Sequence, residues 1–216
     1  MKRLTYLLIV VISIFLACGQ AEQKAEQKVE EEEMAAEQAV EEETDWRLSV
    51  PEPEFGSIQR DKNPVVVMET NHGNIEIELY WKEAPKNAEN FLYLVDKGFY
   101  DGLTFHRLVP GFVIQGGDPL GNGTGGPGYR LPQEPVVKNH QRGAIAMAKS
   151  ALGTNASQFY ICLTTERTAP LDQQNFVVFG HVVNGMDVVD KIAQVPTGAQ
   201  DFPQNKVEII KAYEKE

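Results

Sequence analysis

Cysteine is scarce: the 216 residues hold two, Cys18 in an apolar leader and Cys162 far down the chain. A bridge between them would tie the end of a leader to the middle of a domain, so a disulfide framework is excluded as the source of stability. Histidine is thinly spread too. His72, His106, His140 and His181 fall in no H-x-x-E-H spacing and no C-x-x-C is present, so no metal site is visible in the sequence. Clustered Lys and Arg are also missing. Binding to a nucleic acid needs such clusters to neutralise phosphates, and a chain of net charge −11 without them offers no face for one. Finally, no apolar run reaches the about 20 residues of a spanning helix. The longest, Leu4 to Ala17, is interrupted by Thr5, Tyr6 and Ser13.

What is present is unevenly placed. Residues 19–45 carry ten Glu and one Asp against Lys24 and Lys28, a net of −9, while Lys2 and Arg3 give the leader +2. That leaves −4 for residues 46–216, a mildly acidic remainder. Residues 1–18, with a positive start and an apolar body, have the build of a signal peptide. Its end, Phe15-Leu16-Ala17-Cys18-Gly19, resembles a bacterial lipobox, in which the Cys is acylated and becomes the mature N-terminus; Leu16 stands one position later than the usual Leu. Diacylation of Cys18 would supply the two-chain anchoring that one acyl chain cannot. The resemblance implies an exported protein held to a membrane of the bacterial cell envelope through Cys18. A cleavable secretory signal with an incidental Cys is the alternative.

Residues 19–63 read as an acidic tether and linker. Ala21-Glu-Gln-Lys is repeated at once from Ala25, and runs of Glu follow at 30–33 and 41–43. These are helix-forming residues, but the apolar positions 21, 25, 29, 36 and 40 make no sustained heptad stripe, so a solvated, partly helical spacer is expected and not a coiled coil. Like charges extend such a spacer. Residues 46–63, with Pro51 and Pro53, are read as the end of the linker.

From residue 64 to 216 the pattern changes to that of a folded domain. Val65 to Thr70 and the strictly alternating Ile75 to Leu79 flank a turn at Asn71-His-Gly-Asn74, which predicts a hairpin with one buried face. Ala84 to Lys97 predicts a helix, with Pro85 in its first turn, Ala88, Phe91, Leu92 and Val95 on one face, and Gly98 as its stop. Further strands are expected at 104–108, 112–116, 144–148, 158–163, 177–183 and 206–213, and a second helix at 186–193. Eight strands and two helices suit a mainly β domain, a closed antiparallel barrel with the helices over its ends, because closure removes the sheet edges. A sandwich satisfies the same pattern.

Several stretches, in one order, resemble the cyclophilin-type peptidyl-prolyl cis/trans isomerases. They are Phe105-His-Arg-Leu-Val-Pro-Gly-Phe-Val-Ile-Gln-Gly-Gly-Asp118, Gly123-Thr-Gly-Gly126, Ala144-Ile-Ala-Met-Ala148, Thr154-Asn-Ala-Ser-Gln-Phe-Tyr-Ile161, Leu171-Asp172 and Val177-Val-Phe-Gly180. The resemblance spans residues 65 to 213 and implies an eight-stranded barrel with two capping helices, no cofactor, and proline-containing polypeptides as substrates.

The implied reaction makes no bond. It rotates an Xaa-Pro amide against a resonance barrier of about 18–20 kcal/mol. A donor aimed at the prolyl nitrogen favours the twisted state, whose lone pair is free to accept, over the planar one, and such selective binding is what raises a rate. A guanidinium stays charged and holds its donors in a rigid fork. The resemblance places the catalytic Arg at Arg107 and, eight residues on, Gln115 as the residue that orients it. It places Phe112, Val113, Tyr160, Leu171 and Phe176 around the proline, and Ala148, Lys149 and Gln158 beside the substrate backbone.

Three positions depart from the family pattern. Pro170 replaces the Trp of eukaryotic members, which weakens the case for tight cyclosporin binding; Phe176 replaces a His and makes the rim more apolar; Lys149 replaces an Asn that acts through its backbone. Other signals are set aside. Gly121-Asn-Gly-Thr-Gly-Gly126 satisfies G-x-G-x-x-G, but Pro127, Gly128 and Pro132 prevent a following helix, so a flexible loop is expected there. The sequons at Asn122 and Asn155 are expected unused behind a bacterial leader, His106 is read as structural because rotation needs no proton transfer, and Cys162 as a buried, inert thiol. Two readings are carried forward: a monomeric isomerase assisting exported proteins, and a non-catalytic peptide-binding or envelope-assembly module on the same fold.

Overall fold

The computed structural model describes residues 45–216; the leader, Cys18 and the tether through residue 44 lie outside the described residues. The domain begins with the hairpin of β1 (Val65–Thr70) and β2 (Gly73–Leu79), in register from Val65 opposite Glu78 to Thr70 opposite Gly73. Thr70 builds its turn: the hydroxyl donates to the Gly73 carbonyl at 2.6 Å and accepts from His72 N–H at 3.1 Å. Alternation does the rest. Ile75, Ile77 and Leu79 are fully buried while Asn74, Glu76 and Glu78 face outward.

Helix α1 (Pro85–Asp96) lies next, with Ala88, Phe91, Leu92 and Val95 on its buried face. Its N-cap, Ala84, has no side chain to offer; the carboxylate of Glu134 accepts from Lys86 N–H and Asn87 N–H, both at 2.9 Å, and satisfies the open end of the helix from 48 residues away. Phe91 packs against Tyr100, Phe179 and Phe159 with ring centroids at 4.9, 5.1 and 5.6 Å, which binds the helix to the sheet.

The sheet continues through β3 (Arg107–Val109), β4 (Val113–Gly116), β5 (Arg130–Leu131), β6 (Ala144–Ser150), β7 (Gly153–Cys162), β8 (Val178–Asn184) and β9 (Ile209–Glu214). All pairs are antiparallel, in the order β3-β4-β7-β6-β8-β2-β1-β9, with β5 added to β7. This is a mainly β, cyclophilin-like curled sheet, a half-barrel. Its two ends approach through the single bridge of Thr104 with Glu208, flanked by hydrogen bonds from Phe105 N–H to the Val207 carbonyl and from Ile209 N–H to the Leu103 carbonyl. Helices α2 (Thr165–Thr168) and α3 (Met186–Ala193) and three 3-10 turns, Trp46–Ser49, Ala169–Gln174 and Ala199–Asp201, complete the described residues.

The expected eight strands and two helices thus become nine and three. Both additions are too short to show a period: β5 has two residues and α2 is one turn of Thr-Glu-Arg-Thr. Residues 46–63, read as the end of a linker, lie against the domain. Val50 is buried, its N–H donates to the Pro127 carbonyl, and Arg47 donates to the carbonyls of Phe99 and Asp101 at 2.9 and 2.8 Å. Arg60 pairs with Glu214 and covers the Trp81 ring at 5.2 Å.

Candidate active site

Strand alternation sorts the large side chains from the small. On β6, Ile145 and Met147 enter the main core, whereas Ala144, Ala146 and Ala148 turn to the opposite face of the sheet. On β7, Phe159 and Ile161 go inward and Tyr160 and Cys162 outward. Of the three small side chains on the outer face, Ala148 borders a hollow.

Register then delivers polar groups to its edge. Arg107 faces Gln115, Gln115 faces Tyr160, Tyr160 faces Ala146, and Ala146 faces Val178, a single row running across β3, β4, β7, β6 and β8. The hollow has a volume of about 200 Å³. Arg107, Gln115, Tyr160, Val113 and Ala148 line it from the sheet, and Phe112, Lys149, Leu171 and Phe176 close it from turns and strand ends. Nine of the residues expected around the substrate thus meet at one place; Gln158 lines a neighbouring hollow that shares Gln115, Ala148 and Lys149. Pro170 does not line the first hollow, although Leu171 beside it does.

The aromatic wall is braced from behind. The buried His140 stacks on Tyr160, with centroids 5.9 Å apart, and Phe176 meets Tyr160 edge-on at 6.0 Å. His140 Nδ1 is 2.6 Å from the Asp172 carboxylate and Nε2 is 2.8 Å from the Tyr160 hydroxyl. A carboxylate accepts, so Nδ1 carries the proton; Nε2 of the neutral ring then accepts, and the Tyr160 hydroxyl donates. Burial lowers the His140 pKa and raises that of Tyr160, which keeps both neutral. Asn175, left-handed at φ 59°, turns the chain after the 3-10 turn Ala169–Gln174 and brings Phe176 to the rim. Lys149 is drawn aside by Gln133 at 3.1 Å, and Gln133 in turn donates to the Asn175 carbonyl.

The family comparison accords with this geometry. The model of the cyclophilin type peptidyl-prolyl cis-trans isomerases matches residues 65–214. The chain belongs to the cyclophilin family. Its relatives include the peptidyl-prolyl cis-trans isomerase-like 1 of Bos taurus, 43% identical over 69% of this chain and 92% of that one. A peptidyl-prolyl cis-trans isomerase of Helicobacter pylori is 45% identical over 62% and 82%. A crystal structure of a Cryptosporidium parvum cyclophilin type isomerase superposes with a TM-score of 0.64 at 30% identity, covering 71% of this chain and 98% of its own.

Within this cyclophilin, several partnerships differ from those the motifs suggested. The Gln115 amide donates to Gln158 at 3.1 Å and makes no hydrogen bond to Arg107. Gln158 is buried, and its own amide donates to the carbonyls of Gly123 and Gly125 at 3.0 and 2.8 Å. The glycine-rich loop expected to be flexible is pinned: the Asp118 carboxylate accepts from Leu120, Asn122 and Gly123 N–H, and Asn155 donates to the Gly125 carbonyl. Those N–H groups are therefore occupied and unavailable to a phosphate. His106 is buried with neither ring nitrogen hydrogen-bonded, and burial lowers its pKa. Burial also pushes the Cys162 thiol up to about 12. Among the described residues no group of three or more His, Cys, Asp or Glu side chains is placed to hold a metal ion. Sequence reasoning missed His140, which neither periodicity nor motif marks; Asp172 stood inside a quoted motif without an assigned part.

Proposed function

We propose that this cyclophilin is an active, monomeric isomerase, exported and held to a membrane through a lipidated Cys18, that speeds Xaa-Pro rotation in exported polypeptides. One observation carries the catalytic part: a guanidinium, Arg107, stands at the edge of a hollow whose other walls are mostly aromatic and aliphatic. A proline ring seated against Phe112, Val113, Tyr160, Leu171 and Phe176 loses water, and the charge of Arg107 acts more strongly on the prolyl nitrogen there. Binding the twisted amide more tightly than the planar one lowers the barrier. The Cryptosporidium parvum relative was also solved in the presence of the dipeptide Ala-Pro, which supports proline as the recognised residue. We read the Thr104–Glu208 bridge, just before β3, as bringing the two ends of the curled sheet together next to the strand that carries Arg107. The lipobox-like end of the leader supports the anchor, and the acidic tether supports reach away from it.

A proline-isomerisation assay on a short peptide tests the reading. Wild type turns over and Arg107→Ala loses most of that activity; equal rates would refute the assignment. Peptide binding without turnover in wild type would instead favour a binding module. For the anchor, Cys18→Ser is expected to release the protein from the membrane fraction, and continued tight association would argue for an uncleaved leader.

A further inference from the structure

The one side chain that pairs with Arg107 among the described residues comes from outside the sheet. Asp201 Oδ2 lies 3.4 Å from Arg107 Nη2. Asp201 belongs to the 3-10 turn Ala199–Asp201, between α3 and β9, and its backbone is left-handed at φ 63°, directly after Gln200 at φ 58°. Of the three non-glycine residues with positive φ among those described, two are this pair. Such a conformation is unfavourable for residues with a Cβ and persists only where the surroundings over-determine it. Here they do. Gly198 N–H donates to the Phe202 carbonyl at 2.8 Å, Gln204 N–H to the Pro196 carbonyl at 2.8 Å, and Thr197 bridges to Pro203.

Arg107 and Gln115 also line a second cavity, of about 340 Å³, shared with His106, Asn122, Gln200 and Phe202. Arg107 thus has the apolar hollow on one side and this loop on the other. Its side chain has several rotatable bonds, and the Gln115 amide nitrogen is turned to Gln158. We infer that Asp201 is a positioning residue for catalysis: it holds the guanidinium through Nη2 and leaves the remaining donors of the fork to the prolyl nitrogen. This rests on the isomerase reading of Arg107.

Asp201→Asn and Asp201→Gly test it, since both residues accept a left-handed backbone and preserve the turn. A partly exposed ion pair of this kind predicts a kcat about two- to fivefold lower in Asp201→Gly, with KM nearly unchanged. Added salt screens the pair, so the wild-type kcat falls toward that of Asp201→Gly while the variant stays flat. In an Arg107→Ala background, Asp201→Gly causes no further loss of the residual activity. Full kcat in Asp201→Gly at low salt, or an equal loss with and without Arg107, overturns the inference while leaving the isomerase reading in place. If Arg107→Ala itself matches wild type, the role of Arg107 falls, and that of Asp201 with it. Urea midpoints of both variants close to wild type show that the loop is intact.

Discussion

Arg107 and Gln115 are directly opposed in the β3–β4 ladder, yet the Gln115 side-chain amide donates from β4 to Gln158 on the neighbouring strand β7. The arrangement runs from the glycine loop inward: the Gly123 and Gly125 carbonyls hold the Gln158 amide nitrogen, and the Gln158 oxygen holds Gln115. Gln158→Leu keeps much of the volume but leaves those groups without partners. The expected cost is about 1–3 kcal/mol of stability, together with a lower kcat/KM as Gln115 and the loop lose their hold. Urea denaturation and the peptide assay measure the two effects. Wild-type values for both would show that the loop is held by Asp118 and Asn155 alone.

Of the alanines on the outer face of β6, Ala148 lies at the wall of the hollow. Ala148→Leu fills part of the space without entering the main core. Peptide affinity is expected to fall about tenfold or more, in line with the 1–3 kcal/mol typical of overpacking, while the urea midpoint stays within experimental error. Undiminished affinity would place the proline elsewhere.

Much of this was legible in the chain because strand and helix periods are local. Ile75, Ile77 and Leu79 announce their buried face, as do Ala88, Phe91, Leu92 and Val95, and the contiguous motifs place Arg107, Gln115 and Tyr160 in one row. What was not legible is set by contacts distant in sequence. Glu134 caps a helix 48 residues earlier, and His140 joins Asp172 to Tyr160 across intervals of 32 and 20 residues. Asp201 gains its place from a left-handed pair in a loop with no apolar period. Residues 46–63 read as linker because their anchors are single side chains and backbone groups that meet partners distant in sequence, with no period to mark them.

Those residues support a prediction of their own. Glu89 on α1 is 5% exposed, and its carboxylate accepts from Gly56 N–H at 2.7 Å and from the Ser57 hydroxyl. Tyr93 donates to the Pro51 carbonyl, and Trp81 N–H donates to Asn63. A chain beginning at residue 45 serves as the reference. One beginning at residue 64 loses Val50, the Arg47 contacts and the Arg60–Glu214 pair, and is expected to be less stable by about 2–4 kcal/mol. Equal midpoints for the two truncations would mean that the segment rests on the domain without stabilising it.

Acid is expected to weaken the fold through its histidines. His106, His140 and His181 all have pKa values lowered from 6.5, with burial the first cause in each. The unfolded chain therefore takes up protons that the folded one refuses, and stability rises with pH wherever that difference persists. The contribution is complete above the unfolded value of about 6.5 and is lost as pH falls from there toward the lower folded values. Carboxylates held low, such as Glu76 and Asp187, act only further down, below 4.5 and 3.8. His140 is faced by Asp172, which opposes the effect of burial, while His106 is faced by Asp118, which raises its pKa, and Arg107, which lowers it. With no hydrogen bond to lose, His106 is the cleanest probe. His106→Leu is expected to flatten the fall of the urea midpoint between about pH 6.5 and pH 5. A wild-type midpoint that is constant over that range would show that these rings gain protons as readily folded as unfolded.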